Sequence, residues 1–192
     1  MIRLIALLGN PGREYAATRH NAAWLLAERL SFGSSLAWQE KFKGFYASFR
    51  DADRLVYLLK PDTYMNLSGE AVQKLLAFFK IGTDELLVVH DEIELPFGTV
   101  GMRLGGGLGG HNGLKSVASS LGTRDFYRFR IGVSRPKHGD VASYVLSRFS
   151  GEEEPLLDDY LRRAASLVEE ALKKDPAKAA ASYGKTELVP FS

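Results

Sequence analysis

The 192 residues carry 45% hydrophobic and 25% charged side chains, a formal net charge of +2 and no cysteine. This composition is ordinary for a globular domain with a sizeable core, and it excludes a disulfide framework and thiolate catalysis. No stretch approaches the roughly 18 apolar residues of a membrane span, and no signal peptide is evident. We therefore expect one domain over 1–192, located in the cytoplasm and not associated with a membrane.

The charge is unevenly distributed along the chain. Between Arg103 and His138 there is one acid, Asp125, and there are seven basic side chains, at 103, 115, 124, 128, 130, 135 and 137. A basic block within a near-neutral protein indicates an anionic partner such as phosphate or nucleic acid. Solvation of helix and loop surfaces explains the same pattern equally well.

The chain begins with a predicted strand over 2–8 and a predicted helix over 22–30. The strand is continuously apolar apart from Arg3, which is typical of a strand buried on both faces. The loop between the two elements contains Asn10, a Pro-Gly turn and His20. Such loops, which leave the end of a core strand, are where α/β proteins usually place their chemistry, and histidine is the side chain best suited to proton transfer near neutral pH.

The rest of the chain alternates between predicted strands and helices. Strands are predicted over 45–49, 55–59, 85–90, 99–104 and 126–134, and helices begin near 68, 114, 152 and 177. The pattern in 140–149 favours no element. This alternation predicts an α/β fold, a single domain in which helices flank a mixed, largely parallel sheet.

Polar side chains follow several predicted strands or open predicted helices: Asn10, His20, Asn66, Asp91, His111 and Asn112. Strand ends in an α/β sheet open onto a common crevice. A histidine, a carboxylate and three asparagines meeting there would form a proton-transfer site lined with amide groups. Each asparagine is also explained as a helix cap, and for Asn112 that interpretation is the stronger one.

Other chemistries fit the sequence less well. There is no Gly-x-Ser-x-Gly elbow of a serine hydrolase, and the four histidines lack metal-ligand spacing, so we expect no metal and no other cofactor. Gly105, Gly107 and Gly110 match the bare spacing of a dinucleotide fingerprint. However, no acidic residue ends a following strand about 20 residues further on. A nucleotide-cofactor enzyme is therefore an alternative, and we assign these glycines to a mobile or closely approached backbone.

Four stretches form a combination that is more specific than any one of them: residues 9–21 (GNPGREYAATRHN), 60–69 (KPDTYMNLSG), 90–96 (HDEIELP) and 105–114 (GGGLGGHNGL). Together they resemble the bacterial peptidyl-tRNA hydrolase family over essentially the whole chain. The resemblance implies hydrolysis of the ester that joins a peptide to tRNA. It also implies a monomeric α/β domain, no metal or other cofactor, and peptidyl-tRNA as the partner.

The resemblance also implies roles for individual residues. His20 matches the catalytic base and Asp91 the residue that orients it. Positions that hold substrate or water match Asn10, Asn66 and Asn112, and positions near the peptide and the tRNA 3′ end match Tyr15, Met65 and His111. Basic positions that contact the tRNA 5′-phosphate match Arg103 and Arg130, with Lys137 as a further phosphate contact.

One departure bears on the phosphate contact. Gly101 stands where many relatives carry a second basic residue, so we expect that contact to be weaker. A different functional class is an RNA-binding protein on the same fold that has lost hydrolysis. Retention of His20, Asp91 and the three asparagines argues against that class.

Overall fold

The structure, a computed structural model, describes residues 1–191, which form an eight-stranded mixed sheet between two layers of helices. The strands are β1 (Leu4–Leu7), β2 (Gln39–Lys41), β3 (Gly44–Asp51), β4 (Arg54–Pro61), β5 (Leu86–Glu92), β6 (Thr99–Leu104), β7 (Tyr127–Gly132) and β8 (Thr186–Glu187). Their spatial order is β2-β3-β4-β1-β5-β7-β6-β8. The central strands β4, β1, β5 and β7 run parallel, and the remaining pairs are antiparallel.

The helices lie on both faces of this sheet. They are α1 (Ala22–Ala27), α2 (Ser68–Phe79), α3 (Asn112–Leu121), α4 (Val141–Val145), α5 (Glu154–Leu172) and α6 (Pro176–Ser182). Residues of α1, α5 and α6 belong to the core on one face, and residues of α2 and α3 belong to the core on the other. The predicted α/β architecture with a mixed, centrally parallel sheet is therefore confirmed.

The alternation of side chains along β1 explains why its sequence is apolar throughout. Ile5 and Leu7 pack into the core with α1 and α5, whereas Leu4 and Ala6 pack into the core with α2 and α3. All four side chains are fully buried. A strand covered on both faces has no solvent side, so its sequence shows no polar alternation.

Several predicted boundaries were wrong by a few residues. The helix predicted over 22–30 ends at Ala27, because the amides of Arg29 and Leu30 bond to carbonyls three residues back, at Leu26 and Ala27. This is the tighter pairing with which helices often end. Leu30 is nevertheless buried, so its hydrophobic spacing predicted burial correctly and helix incorrectly.

The segment 140–149, which had no predicted structure, contains the short helix α4. Asp140 is its N-cap, and the carboxylate accepts hydrogen bonds from the Ser143 amide at 2.9 Å and the Ser143 hydroxyl at 2.8 Å. A helix of five residues gives too short a pattern for its period to be recognised. Within residues 1–191, the structure contains no helix with the length and apolarity to cross a membrane.

Candidate active site

A cavity of about 580 Å³ opens beside the carboxyl ends of β1 and β5. Its size is in the range of small-molecule binding sites. Eight of the residues predicted for the site line it: Asn10, Tyr15, His20, Met65, Asn66, Asp91, His111 and Asn112. The predicted convergence of these side chains on one crevice is therefore observed, while their individual roles stay predictions.

His20 lies in a single turn of 3-10 helix, residues 19–21, which we call the His20 turn. Its Nδ1 lies 2.9 Å and 3.0 Å from the two carboxylate oxygens of Asp91, which is itself 2% exposed on β5. An ionised carboxylate can only accept, so the proton is assigned to Nδ1 and the Nε2 lone pair is left as the basic site. Burial lowers the pKa of His20, but the charge of Asp91 and its hydrogen bond outweigh burial, and the pKa is raised.

Asp91 also forms a hydrogen bond with a second histidine, His111. His111 Nε2 lies 3.0 Å from Asp91 Oδ1, and His111 Nδ1 accepts the amides of Gly113 and Leu114 at 3.1 Å and 3.3 Å. Since Nδ1 accepts, the ring proton is assigned to Nε2, which donates to Asp91. Burial raises the pKa of Asp91, but the two histidines more than offset it and hold that pKa far below its usual range.

The capping at α3 corrects one interpretation of the sequence. The N-cap is His111, whose imidazole binds the first free amides of the helix, and Asn112 is the first helical residue. The Asn112 side chain is exposed at the pocket. It is therefore not needed for capping and is available to a ligand.

One potential metal-ligand atom from each of His20, Asp91 and His111 lies within 4.8 Å of the other two. Both nitrogens that face the carboxylate carry protons in the hydrogen-bonded arrangement. To bind a metal through Nε2, His111 would have to lose that proton. Because Nδ1 accepts two amide hydrogen bonds and carries no proton, the ring would then be an imidazolate. The donor set fits a hydrogen-bonded cluster better than a metal centre.

Asn10 is held by three hydrogen bonds. Its Oδ1 accepts the amide of Met65 at 2.8 Å, and its backbone N–H and C=O both pair with the side chain of Asn21 at 2.9 Å. Asn21 is fully buried. In the sequence Asn21 is adjacent to the candidate base His20, and no function was predicted for it. In the structure the Asn21 side chain fixes the loop that carries Asn10.

Met65 and Asn66 belong to a 3-10 turn that leads into α2. Met65 is buried against the start of α3, where a Cβ on Gly113 would lie 2.5 Å from the Met65 sulfur. Glycine at 113 therefore permits the two helix starts to approach closely. Asn66 is exposed at the rim, and Tyr15 is half-buried in the pocket lining.

One side of the pocket was not anticipated from the sequence. Four side chains of residues 141–146, here called the wall segment, line it: Val141, Ala142, Val145 and Leu146. The only signal in the sequence was a scatter of apolar residues in a stretch with no recognisable period. The wall segment therefore adds apolar side chains to a pocket whose other lining includes the polar cluster of His20, Asp91 and His111.

The predicted phosphate-binding arginines lie outside the pocket, on the antiparallel strands β6 and β7. Arg103 pairs with Arg128, and Gly101 pairs with Arg130. The intervening side chains of β6 and β7 pack into the core with α1 and α5, so these arginines share the opposite face of the sheet. We call Arg103, Arg128 and Arg130 the arginine face.

Gly101 makes room for its cross-strand partner. A Cβ there would lie 2.6 Å from Arg130 Nη2 and 2.5 Å from the Gly184 carbonyl, which Arg130 binds at 2.9 Å. A side chain at position 101 would therefore collide with the Arg130 guanidinium and the Gly184 carbonyl as they are placed here. Lys137 lies exposed in the connection between β7 and α4.

Arg128 was not singled out by the sequence. It is 1% exposed, donates to the Gly107 carbonyl at 3.0 Å, and has a buried Nε without a partner among residues 1–191. Burial and the nearby Arg103 lower the pKa of Arg128 to about 10. It connects the arginine face to the glycine-rich loop that precedes α3.

The fold and the site together define a class of protein. It is an α/β protein in which a histidine is hydrogen-bonded to a buried carboxylate in an open crevice, with a cluster of arginines on two strands outside that crevice. Such a pairing serves proton transfer.

Comparison with known proteins narrows this class to one family. The model of the family described as Peptidyl-tRNA hydrolase matches residues 4–189. A peptidyl-tRNA hydrolase of Desulfitobacterium hafniense (strain Y51) is 43% identical over 185 residues, which cover 96% of this chain and 100% of that protein. The chain belongs to the peptidyl-tRNA hydrolase family.

Solved structures agree with this assignment. A crystal structure of a peptidyl-tRNA hydrolase in complex with N-propanol superposes with a TM-score of 0.85 at 34% identity, covering 95% of this chain and 96% of that chain. Peptidyl-tRNA hydrolase from Acinetobacter baumannii superposes with a TM-score of 0.83 at 33% identity and the same coverage.

Proposed function

We propose that this protein hydrolyses the ester bond between peptide and tRNA in peptidyl-tRNA and so releases tRNA for reuse in translation. The observation that carries the proposal is the pairing of His20 with the buried Asp91 in an open pocket. Membership of the peptidyl-tRNA hydrolase family supports the same substrate.

The proposed reaction uses His20 as a general base. Nε2 takes a proton from water as the water oxygen attacks the ester carbonyl, and the resulting imidazolium is stabilised by Asp91. When the tetrahedral intermediate collapses, the C–O bond to the ribose breaks and the imidazolium returns its proton to the ribose oxygen. The products are a peptide with a free carboxyl group and tRNA with a free hydroxyl.

The amide side chains at the pocket supply groups that this reaction needs. Asn10, Asn66 and Asn112 line the cavity, and their N–H groups are suitable donors to the oxyanion that develops on the ester carbonyl. Tyr15, Met65 and His111 line the same cavity and are proposed to contact the peptide and the tRNA 3′ end.

The tRNA phosphates are proposed to bind Arg103, Arg130 and Lys137. The shared orientation of Arg103 and Arg130 on neighbouring strands supports this assignment, as does the excess of basic residues between 103 and 138. Contacts of this kind give salt-dependent affinity with little sequence preference. They suit a substrate class in which the tRNA sequence varies.

In this proposal the protein acts as a monomer in the cytoplasm and needs neither metal nor cofactor, because His20 activates the water. A nucleotide-cofactor enzyme is less compatible with the fold. The glycine-rich loop follows β6, which pairs antiparallel with both of its neighbours. The dinucleotide fingerprint instead belongs to a parallel strand-helix-strand unit.

The test is release of peptide from an N-blocked aminoacyl-tRNA in the presence of a chelator. Three proteins are compared: wild type, His20→Ala and the matched control His138→Ala, whose exposed side chain lies outside the pocket. Loss of a general base lowers turnover by roughly 10²–10⁴-fold. We expect that loss in His20→Ala alone, with tRNA binding retained.

Two results contradict the proposal in different ways. Unchanged turnover in His20→Ala would rule out the assigned base. An inactive wild type that still binds tRNA would favour the RNA-binding class of protein over the enzyme.

A further inference from the structure

The residue before the candidate base has an extensively bonded side chain. Arg19 is 5% exposed, and its Nη2 lies 2.6 Å from Glu153 Oε2. Its Nη1 donates to the Ser147 hydroxyl at 2.8 Å and also to the Arg148 carbonyl. The guanidinium lies 4.2 Å from the centre of the Tyr144 ring. All four partners belong to residues 144–153, which begin within the wall segment and continue to the start of α5.

The backbone reinforces the same connection. The Arg19 amide donates to the Ser147 carbonyl at 3.0 Å, and Thr18 forms an antiparallel bridge with Arg148. The His20 turn is therefore joined to the chain that follows the wall segment by main-chain bonds as well as by the guanidinium. A displacement of either one would have to break both sets of contacts.

The partners of Arg19 are themselves fixed. Glu153 accepts the Ser150 amide at 2.7 Å, and the Tyr144 hydroxyl donates to the Val133 carbonyl, next to the end of β7, at 2.6 Å. Tyr144 belongs to α4, between Val141 and Val145 of the pocket lining. Arg19 thus links the His20 turn to Tyr144 of the wall segment and to the residues that follow that segment.

The chemical nature of these contacts indicates that Arg19 positions the segments it joins more than it stabilises the fold. A buried ion pair gains little net stability, since removing two charges from water offsets their attraction. A planar guanidinium fixes the relative orientation of the groups that it binds, because its N–H donors have a rigid, forked geometry that the acceptors must match. An apolar side chain at position 19 would fill the same volume without fixing the orientation of the wall segment.

We propose that Arg19 is a positioning residue that holds the wall segment against the His20 turn, so that the base and the apolar side of the pocket keep one relative orientation. This inference rests on the proposed hydrolysis for its effect on turnover. Substrate that lies along Val141 and Val145 would then be presented to His20 at a fixed distance. Small misplacements of reacting groups cost roughly 10–100-fold in rate.

The test compares Arg19→Met, Arg19→Lys and Glu153→Gln with the control Asp159→Asn, which breaks an exposed ion pair with Arg163 on α5. Turnover per folded molecule, affinity for deacylated tRNA and hydrogen exchange at the amides of Tyr144 and Leu146 are measured. We expect Arg19→Met to lower kcat about 10–100-fold, to speed exchange at both amides and to leave tRNA affinity within about twofold. Arg19→Lys keeps the charge and is expected to recover part of the turnover.

The other outcomes also test whether Arg19 positions the wall segment. A lower thermal midpoint with unchanged kcat per folded molecule and unchanged exchange would overturn the proposal, because Arg19 would then be only structural. If Arg19→Met does not fold, Glu153→Gln provides the same comparison with an uncharged acceptor in place. An inactive wild type would reject the proposed hydrolysis, and the exchange measurement would still decide whether Arg19 holds the wall segment.

Discussion

His20 and Asp91, which are 71 residues apart in the sequence, meet so that Nδ1 is nearly equidistant from both carboxylate oxygens, at 2.9 Å and 3.0 Å. The histidine comes from the turn after β1, and the aspartate comes from the end of the neighbouring parallel strand β5. This geometry holds the imidazole in one tautomer and one orientation.

Replacing Asp91 by asparagine is expected to reduce kcat by roughly 10²–10⁴-fold, because an amide can donate to Nδ1 and so favour the tautomer in which Nε2 carries the proton. Affinity for deacylated tRNA is expected to stay near that of the wild type. Single-turnover hydrolysis together with a tRNA binding titration measures both quantities. Asp159→Asn, at an exposed position of α5 that does not line the pocket, is the control, and an Asp91→Asn rate within about twofold of it would contradict the assigned role.

The activity is expected to depend on pH through His20. Burial lowers the pKa of His20, but Asp91 outweighs burial and raises it; the other ionisable ring close by is His111, with centroids 4.9 Å apart. A general base works in its neutral form, so kcat/KM is expected to rise with pH through a midpoint above ~6.5, the usual histidine value. The pH profile of kcat/KM tests this, and a midpoint at or below that value would disagree with it.

The same shift has a consequence for stability. A pKa that is raised in the folded state adds stability below the unfolded-state pKa, and this contribution is lost as pH rises through the folded-state value. His20→Ala is therefore expected to lose more free energy of unfolding, relative to wild type, at pH 5 than at pH 9. Urea unfolding of both proteins at the two pH values measures the difference. A penalty that is larger at pH 9 would have the wrong sign.

Replacing Arg103 by alanine is expected to weaken tRNA binding in a salt-dependent manner. Loss of one phosphate contact reduces the slope of log affinity against log salt by about one. Arg163→Ala, an exposed residue of α5 far along the chain from the arginine face, is the matched control. Binding titrations at several salt concentrations test the prediction, and equal slopes for Arg103→Ala and wild type would exclude Arg103 from phosphate binding.

Replacing Asn21 by alanine is expected to cost about 1–3 kcal/mol of unfolding free energy, because the backbone N–H and C=O of Asn10 lose their partner in a buried place. Turnover is expected to fall as well, since Asn10 would lose two of the three hydrogen bonds that hold it in the pocket. Urea denaturation measures the first effect and peptide release the second. Ser119→Ala, exposed on α3, is expected to stay within about 0.5 kcal/mol of wild type, and an equally small change in Asn21→Ala would contradict the prediction.

The order of strands and helices was largely predictable because long apolar runs and helical spacing are local properties. Thus β1, β5 and α5 were anticipated with small boundary errors, and the polar residues at strand ends were correctly expected to meet. The helix α4 was missed, since five residues carry no clear period. His111 was missed as a cap because imidazole caps are uncommon and the adjacent Asn112 fits the usual pattern.

The sequence by itself determined the class of fold, the residue types available for chemistry and, through four motifs, the family that the chain resembles. It could do so because apolar period and motif spacing are written along the chain. The tertiary structure alone decided which atoms meet: that Asp91 takes two imidazoles, that Asn21 holds the Asn10 loop, and that Arg19 reaches Glu153. These contacts join residues 11 to 134 positions apart, and no local pattern encodes them because packing of the whole sheet brings them together.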